Sequence, residues 1–583
     1  MAIFLFLLSV IFVSAQTIVS VSPAGDRPTR LENCPECAAL REVDGFALEP
    51  LIRVQFSAPV DANGLRNRVV VIWRGSRQSD GFTTYPEGYR MPINNLAWEA
   101  STNTLYAKPD EPLDHDRDYS LEVNGSVVSR FHTRNVTQTI LRRRPGPTGS
   151  IRRELNSTVD MSEIKSLRYL TQTNVDPQLA LTEEAFAVEP SFLTGLGLRR
   201  LVFMSFESSR GDRVAVHAWL PSGAKPVSGW PVKLVGHGLF DQRLSGPTLF
   251  ASAFISNSVV MSIDAVGHGY GLGSLMRFTK NDGSIVDAPT QGRGRDLNGD
   301  GRIDAAEGCI LLTPGTPDFV STCLRETALD YQKLVREIQT GIDLDGDGQN
   351  DLDANRIQYL GQSLGAMYGT ILMAIEPGVD AAVLNVGAGS SVEAARNSNF
   401  LTPLLRQYLA ATYPALASVV DPNVSRYRPV QNISKSEAEY LEVLDRLSIL
   451  ETPGTAAAFA PFLKQATLYG NPIKRVLFQY AQGDLSIPNT ANGQLIRAAF
   501  EYELVSLYRH DLARIAAPAL PENPHTYMAA FGQLDQSTLL IALATLTQAS
   551  LFLDSGLRQV PDVNGLVRFL FRRDLFETPA LLP

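Results

Sequence analysis

The pentapeptide Gly361–Gly365, with the sequence Gly-Gln-Ser-Leu-Gly, contains the residue types that nucleophilic catalysis requires. It fits the pattern G-x-S-x-G, in which a serine lies on a tight turn between a strand and a helix and its hydroxyl projects above the sheet. The apolar residues Ile357, Tyr359 and Leu360 predict that strand, and the residues from Ala366 onward can continue as the helix. The flanking glycines are expected because side chains there would collide with the neighbouring strand and helix. We therefore predict that Ser363 is a nucleophile; for so short a pattern, the alternative is an ordinary turn.

A serine hydroxyl reacts near neutral pH only when a base and an orienting carboxylate stand beside it. Asp484 is the candidate carboxylate, because it follows the apolar run 476–480 and should lie at the carboxyl edge of the sheet. Its alternative role is an Asx-turn or a helix cap. His525 lies in a polar loop beyond the last predicted strand, and we prefer it as the base because such a loop can reach the serine. His510, at the end of that predicted strand, is the alternative base.

A tetrahedral intermediate also requires hydrogen-bond donors for its oxyanion. The backbone amide of Leu364, directly after the candidate nucleophile, is one such donor in this kind of turn. The second is expected from the loop after the third strand of the sheet, where Gly236-His237-Gly238 is followed by Leu239. We predict the amide of Leu239 as this donor, with a simple β-turn as the alternative. His268 falls outside the required chain order, and we interpret it as a residue at the edge of the site or a structural one.

An acidic loop at 296–307 has the spacing of a calcium site. It matches the twelve-residue EF-hand loop, with oxygen side chains at positions 1, 3, 5 and 9, glycine at 6 and glutamate at 12. Calcium takes six to eight oxygen ligands, and this spacing wraps them around one point. No clear helix precedes the loop, so we expect a structural ion rather than a regulatory one. The candidate ligands are Asp296, Asn298, Asp300, Arg302 through its backbone carbonyl, Asp304 and Glu307.

A second acidic loop, at 343–353, repeats the start of this pattern and then departs from it. Ala354 stands at position 12 and Asp353 comes one place early, so the closure of the loop by a bidentate carboxylate stays open. The loop directly precedes the strand of the candidate nucleophile, where bound calcium could stabilise the catalytic turn. Its candidate ligands are Asp343, Asp345, Asp347, Gln349, Asp351 and Asp353.

The composition of the whole chain is that of a folded protein that does not bind nucleic acid. The 583 residues are 44% hydrophobic and 19% charged, and the net charge of −9 argues against a nucleic-acid surface. Residues 1–15 form an apolar run that ends in Val-Ser-Ala, which is typical of a secretory signal segment. An uncleaved anchor is the alternative, although the run is short for one, and no later segment is expected to span a bilayer. We therefore expect a protein that, after cleavage of this segment, is secreted or else located at the cell surface or in the periplasm.

Four cysteines in an exported chain suit two disulfide bonds. The first pair, Cys34 and Cys37, has the C-x-x-C spacing of redox sites but lies in a polar loop, so a small structural loop is expected. The second predicted bridge joins Cys309 and Cys323.

The elements that must position these residues change along the chain. Residues 16–135 contain short alternating strands separated by turn residues, which predict a β-sandwich. Residues 136–195 are expected to be a connector. From 196 to 583, apolar strands alternate with helices, which predicts a mainly parallel sheet buried on both faces. Within this α/β domain we place a calcium-loop insert at about 280–325 and a helical cap at about 390–470.

These motifs together resemble the α/β-hydrolase superfamily. The matching segments, similar to those of secreted bacterial lipases and esterases, are LVGHGLF, RIQYLGQSLGAMYGT, QYAQGDLSIP and NPHTYM. The segments VQFSAPVD and LDHDRDYSLEVNG resemble bacterial Ig-like domains, and the combination resembles virulence-factor-type extracellular lipases. The resemblance implies hydrolysis of an ester, which could be a lipid, through an acyl-enzyme on Ser363. It specifies neither the acyl group nor a ligand for the Ig-like domain.

Two other classes of function compete with a lipase or esterase. A serine peptidase or a polyester depolymerase would use the same catalytic groups. A calcium-dependent surface or adhesion protein could be built on an inactive hydrolase. This last class predicts the loss of a catalytic residue, whereas candidates for all three are present in the sequence.

Overall fold

The computed structural model describes most of the chain after the first sixteen residues. The described ranges are 17–28, 34–76, 86–109, 111–137, 140 and 151–582, apart from 177, 180, 186–188, 251–252, 254–255, 306, 308, 310–318, 423–428, 465–467, 469–470, 531–534 and 581. The predicted signal segment at 1–15 lies outside these ranges.

Within the described residues, strands dominate the first half of the chain and helices the second. The strands are β1 (Ile18–Ser22), β2 (Ile52–Phe56), β3 (Val69–Ser76), β4 (Arg90–Pro92), β5 (Asn95–Glu99), β6 (Thr104–Lys108), β7 (Arg117–Val123), β8 (Ser126–His132), β9 (Arg152–Asp160), β10 (Ile164–Thr171), β11 (Thr182–Ala185), β12 (Leu198–Glu207), β13 (Arg213–Pro221), β14 (Trp230–Gly236), β15 (Val259–Ile263), β16 (Leu275–Lys280), β17 (Ile285–Pro289), β18 (Leu352–Gln362), β19 (Ala381–Asn385), β20 (Gln431–Ile433), β21 (Arg475–Ala481), β22 (Val505–Tyr508) and β23 (Phe576–Glu577). The α-helices are α1 (Cys37–Arg41), α2 (Pro190–Gly195), α3 (Gly246–Leu249), α4 (Phe319–Thr340), α5 (Leu364–Ile375), α6 (Ser391–Asn397), α7 (Thr402–Thr412), α8 (Lys435–Glu451), α9 (Ala456–Phe459), α10 (Asn489–Ala498), α11 (His510–Ala516), α12 (Gln536–Ser555) and α13 (Asn564–Phe571).

The largest sheet among the described residues has ten strands, in the order β23-β22-β21-β19-β18-β14-β15-β13-β12-β9. Its central strands, from β15 through β14, β18, β19 and β21 to β22, pair in parallel. The strands at both ends join antiparallel. Since β14 lies between β15 and β18, the strand order reverses there and leaves a crevice at the carboxyl ends of β14 and β18. The predicted mixed α/β fold with a mainly parallel sheet is therefore confirmed.

Both faces of this sheet are buried, which explains why its strands read as continuous apolar runs. In β15, Val259, Met261 and Ile263 pack in the same cluster as residues of α4 and α5. The intervening Val260 belongs to the cluster that contains residues of α12 on the other face. Each fully buried aliphatic side chain contributes roughly 1.5–3 kcal/mol to stability, so both layers of helices are needed to hold the sheet.

Helix α12 corrects one sequence expectation. Among the described residues it is long and apolar enough to cross a bilayer, although no segment after the signal region was expected to be. In the structure 56% of its most apolar window is buried, and Ala542, Leu546 and Phe552 pack in the hydrophobic cluster under the sheet. It therefore lies where a core helix of the α/β domain should lie.

The segment 136–195, expected to be a connector, contributes strands to two sheets instead. β9 joins the edge of the large sheet beside β12. β10 pairs with β11 and with β16, and together with β17 these strands form a separate four-stranded sheet. The partners β12 and β16 lie tens to a hundred residues further along the chain, so local sequence patterns carry no signal for this pairing.

The N-terminal strands form two sheets that share one hydrophobic cluster, so this region is called here the N-terminal β-domain. One sheet has the order β4-β3-β7-β8. The other has the order β1-β2-β6-β5-β20 and therefore takes its last strand from the cap, more than 300 residues away in the chain. The Ig-like character of the domain stays a resemblance.

Both predicted disulfides are formed, Cys34–Cys37 and Cys309–Cys323. A disulfide stabilises chiefly by restricting the unfolded chain, and the effect grows with the separation of its cysteines. The separations are 3 and 14 residues. We expect the double change Cys309→Ser/Cys323→Ser to lower the free energy of unfolding by about 3 kcal/mol, and Cys34→Ser/Cys37→Ser by about half of that. Thermal denaturation of both variants and the wild type measures this order, and an equal or reversed loss would contradict it.

Candidate active site

Ser363 lies on the strained turn between β18 and α5. Its backbone has φ 56° and ψ −116°, a region that non-glycine residues seldom adopt. A Cβ on Gly365 would overlap the backbone oxygen of Gly236 in β14, and one on Gly361 would overlap the backbone of Gly365. The turn therefore needs glycine at both positions, as the sequence predicts. The amide of Ser363 donates to the carbonyl of Asn385 at the end of β19, which fixes the turn to the sheet.

The structure brings the three predicted catalytic side chains into one hydrogen-bonded chain. The Ser363 hydroxyl lies 2.9 Å from Nε2 of His525, and Nδ1 of His525 lies 2.8 Å from Oδ2 of Asp484. The carboxylate of Asp484 is fully buried, whereas 12% of the His525 side chain is exposed. With Nδ1 donating to the carboxylate, Nε2 is left to accept the serine proton.

The carboxyl edge of the parallel sheet explains this convergence. Asp484 follows β21, and His525 lies in the long loop after β22 and α11. The other carboxylate oxygen of Asp484, Oδ1, accepts the amides of Ser486 at 2.8 Å and Ile487 at 2.9 Å. This Asx-type turn, which the sequence offered as an alternative to catalysis, is therefore formed by the same side chain that contacts His525.

Asn523 is a residue that sequence reasoning missed. Its Oδ1 accepts the amide of Leu485 at 3.1 Å and the amide of His525 at 3.2 Å. Its Nδ2 donates to the hydroxyl of Ser486 at 2.9 Å. One half-buried amide side chain thus joins the loop of the carboxylate to the loop of the histidine. The only sequence signal is its position two residues before His525 in a polar loop.

The predicted oxyanion donors lie on either side of the serine. Leu364 begins α5 directly after Ser363. A Cβ on Gly238 would lie 3.5 Å from the Cβ of Ser363, so the loop that carries Leu239 approaches the nucleophile closely. His237 fixes this loop, because its Nε2 accepts the amide of Ala265 at 2.9 Å and its Nδ1 donates to the carbonyl of Gly238 at 2.8 Å.

Two other histidines, His510 and His268, form their hydrogen bonds with groups other than Ser363. His510 begins α11 rather than ending a strand, and its ring bonds to the hydroxyl of Tyr508 and the carbonyl of Pro521. Burial lowers the pKa of His510. His268 is fully buried beside the Cys309–Cys323 bridge, and burial lowers its pKa to about 3. Both residues therefore make structural contacts, and burial disfavours their charged forms.

A cavity of about 370 Å³ opens beside Ser363 and His525. Most of its wall is aliphatic, with the side chains of Val320, Met367, Val392, Leu404, Leu405 and Leu447. Glu451 lies in the same wall, where burial raises the pKa of its carboxyl to about 7. At the mouth, Phe240 and Phe400 contact each other edge to face and are 41% and 48% exposed. The cavity therefore suits an apolar chain attached to the group that reacts at Ser363.

The first acidic loop is folded around its own backbone amides. Asp296 accepts the amides of Gly299 and Gly301, and Glu307 accepts those of Leu297 and Asn298. Asn298 and Asp300 accept the amides two residues ahead of each. The backbone of Arg302 pairs with that of Asn174 in an isolated antiparallel β-bridge, and Asp304 is exposed. Among the described residues of this loop, no three carboxylates lie within 4.8 Å of one another.

The second acidic loop has the same backbone pattern with a different closing residue. Asp343 accepts the amides of Gly346 and Gly348, as Asp296 does in the first loop. Asp351 accepts the amides of Leu344 and Asp345, which is the role of Glu307. Carboxylate oxygens of Asp343, Asp345 and Asp351 lie within 4.8 Å of one another.

The residue that closes this loop through backbone amides is therefore Asp351 at position 9, and Asp353 as a calcium ligand stays a prediction. Asp353 instead caps the amide of Asn355, outside the cluster. Asp347 and Gln349 remain on the loop, where Asp347 accepts the amide of Gln349. The fully buried Asp351 also accepts from Lys225, so part of its charge is already neutralised.

The contacts of Asn523 lead to a prediction about catalysis. We expect Asn523→Ala to lower kcat by about 10²-fold, because the His525 loop loses its bond to the Asp484 loop and the imidazole is misplaced. KM and the melting temperature should change much less. Ser486→Ala is the matched control, since it removes only one of the three Asn523 bonds and should cost far less. Equal kcat in wild type and Asn523→Ala would contradict a positioning role.

No family model matches the chain, and no curated protein matches it either. Among solved structures, the chain is similar to an acetyl xylan esterase from a Paenibacillus species, at 14% identity over 53% of this chain and 77% of that chain, with a TM-score of 0.35. It is similar to acetyl xylan esterase 1 from a Thermoanaerobacterium species, at 15% identity over 60% and 84%, with a TM-score of 0.34. An S-formylglutathione hydrolase from Agrobacterium tumefaciens gives 12% identity over 62% and 96%, with a TM-score of 0.31. Because these likenesses are distant, the function has to be inferred from the geometry of the site.

Proposed function

We propose that this protein is a serine hydrolase that cleaves carboxylic esters carrying an apolar group, as a lipase or esterase does. The observation that carries the proposal is the continuous contact from Ser363 through His525 to the buried Asp484, next to an apolar cavity. A hydroxyl, an imidazole and a carboxylate in this order form a general-base-assisted nucleophile.

The reaction would proceed in two steps on Ser363. In the first, the hydroxyl proton passes to Nε2 of His525 as Oγ attacks the ester carbonyl, and Asp484 stabilises the resulting imidazolium. The amides of Leu364 and Leu239 hold the oxyanion, and His525 returns the proton to the departing alkoxide, which leaves as an alcohol. In the second step, water attacks the acyl-enzyme with the same proton transfers, which releases the acid and restores the serine.

The site also bears on the competing functions. An inactive surface protein gains nothing from a strained serine in hydrogen-bond contact with a histidine, because such a turn costs about 1–3 kcal/mol to maintain. A peptide substrate would place amides against an aliphatic wall, where unpaired polar groups are costly. An ester with an apolar acyl or alkyl chain meets neither difficulty, and polyester segments of that character remain compatible with the cavity.

We propose in addition that the chain is secreted and that calcium binds to its acidic loops. The apolar start of the sequence and two formed disulfides support export to an oxidising compartment. In the second loop Asp343, Asp345 and Asp351 offer hard oxygen ligands, which suit calcium. The corresponding ligands of the first loop would be Asp296, Asn298, Asp300, Asp304 and Glu307, with the backbone of Arg302. Calcium would supply only structural support, since the reacting groups lie elsewhere.

The test of catalysis is ester hydrolysis by single variants of the full chain. We expect Ser363→Ala to lower kcat for p-nitrophenyl butyrate by at least about 10³-fold, and His525→Ala to do the same, because the nucleophile or its base is lost. His510→Gln is the matched control and should keep most of the activity. A fluorophosphonate should label Ser363, as read by mass spectrometry. Hydrolysis that survives in Ser363→Ala would refute the proposal.

The test of calcium is its contribution to thermal stability. A ligand that binds only the folded state at about 100 times its Kd adds roughly 2.7 kcal/mol to the free energy of unfolding. We therefore expect EDTA to lower the melting temperature of the wild type and calcium to restore it. Asp351→Asn should reduce this calcium-dependent difference, whereas Asp353→Asn should leave it intact. A melting temperature that EDTA leaves unchanged would refute the proposed calcium binding.

A further inference from the structure

Helix α8 is shared by the substrate cavity and the N-terminal β-domain. Leu447 and Glu451, one helical turn apart on the same face, line the cavity beside Ser363. Ile449 and Leu450 are absent from the cavity wall and are buried in the hydrophobic cluster of the N-terminal β-domain, at 2% and 5% exposure. Because a helix moves as a rigid rod, a shift of its outer face must displace the cavity wall.

The N-terminal end of α8 is fixed by strand pairing. β20, which ends one residue before the Ser434 cap of this helix, pairs in parallel with β5 of the N-terminal β-domain. Main-chain bonds of this kind hold position without depending on side-chain rotamers.

Polar contacts fix the rest of α8 to the same domain. Glu36, whose side chain is fully buried, accepts from the guanidinium of Arg446 and from the hydroxyl of Tyr413. Asp445 accepts the amide of Leu51 at 2.7 Å, and Arg134 donates to the carbonyl of Ile449 at 2.8 Å.

The same attachment extends to the neighbouring wall of the cavity. Glu451 accepts the hydroxyl of Ser390 and the amides at the start of α6, and α6 also lines the cavity. On the far side of α6, Lys108 of the N-terminal β-domain contacts Glu393. Two of the cap helices that line the cavity, α8 and α6, are thus held from outside by one domain.

We infer that the N-terminal β-domain is part of the substrate-binding unit: by holding α8 and α6, it sets the depth of the apolar cavity and so selects esters by chain length. This rests on the proposed ester hydrolysis at Ser363. The domain then acts as a positioning element for the cap of its own chain, and the cap forms a fixed wall.

The experiment compares kcat/KM for p-nitrophenyl acetate, butyrate, octanoate and palmitate in the full chain. Leu450→Ala and Glu36→Gln alter the domain contact without touching the cavity. We expect each to change the ratio of kcat/KM for the octanoate to kcat/KM for the acetate by about tenfold, which is the effect of a methylene-sized change in a hydrophobic pocket. Arg90→Gln is the matched control, since the half-exposed Arg90 pairs with Glu122 in the other sheet of the same domain and its loss should leave the ratio unchanged. Leu447→Ala removes side-chain volume from the cavity wall itself and should shift the substrate preference towards longer acyl chains.

Hydrogen exchange gives a second readout that does not depend on activity. In Leu450→Ala and Glu36→Gln the amides of 435–451 should exchange faster, while those of 364–375 keep the wild-type rate. If Leu450→Ala does not fold, Glu36→Gln decides, because it changes one atom of the side chain.

The outcomes separate the two proposals. Activity that persists in Ser363→Ala refutes the proposed hydrolysis and with it this inference. If Ser363→Ala is inactive and Leu447→Ala shifts the preference, but Leu450→Ala and Glu36→Gln keep the wild-type profile, the hydrolase stands and the role of the N-terminal β-domain is overturned.

Discussion

The backbone of Ser363 is the constraint on which the rest of the site depends. A non-glycine residue at φ 56° and ψ −116° is unfavourable alone, so the surrounding strands and helix must hold it there. They do so by close approach: Gly361 and Gly365 have no room for a side chain against β14 and α5. This packing aims the hydroxyl into the crevice at the carboxyl edge of the sheet. The loops that carry Asp484 and His525 then need only to end at that edge.

The sequence was sufficient where chemistry follows from local pattern and chain order. The turn at Ser363 has a local signature, and parallel strands bring the residues after β21 and β22 to one edge, so Asp484 and His525 could be placed in advance. Asn523 could not be predicted. Its role is to accept hydrogen bonds from two backbone amides in different loops, and no fixed spacing along the chain marks a residue with that role. The sequence left the closing carboxylate of the second acidic loop open for a related reason, since Asp351 is identified by the amides that it accepts.

Contacts between distant segments account for most of the remaining differences. In the segment 136–195, β9 pairs with β12, which lies in the predicted α/β domain. β20 pairs with β5, which lies more than 300 residues earlier in the chain. Strand preference depends on the neighbours that a strand meets, so a sequence read in local windows leaves such segments as connectors.

A cap that is anchored on its outer side changes how a substrate must reach the serine. A lid that lifts would have to break the main-chain pairing of β5 with β20 and separate the buried Glu36 carboxylate from its hydrogen-bond donors. Both changes cost free energy, because they break hydrogen bonds that are shielded from water. The exposed aromatic pair Phe240 and Phe400 stands at the mouth of the cavity instead, between the loop that carries Leu239 and the cap. Rotation of two surface rings costs far less than undocking a domain interface. For the proposed ester substrate, entry between these rings would carry its apolar chain into the cavity and leave its carbonyl beside Ser363, so that the opening and the nucleophile share one edge of the sheet.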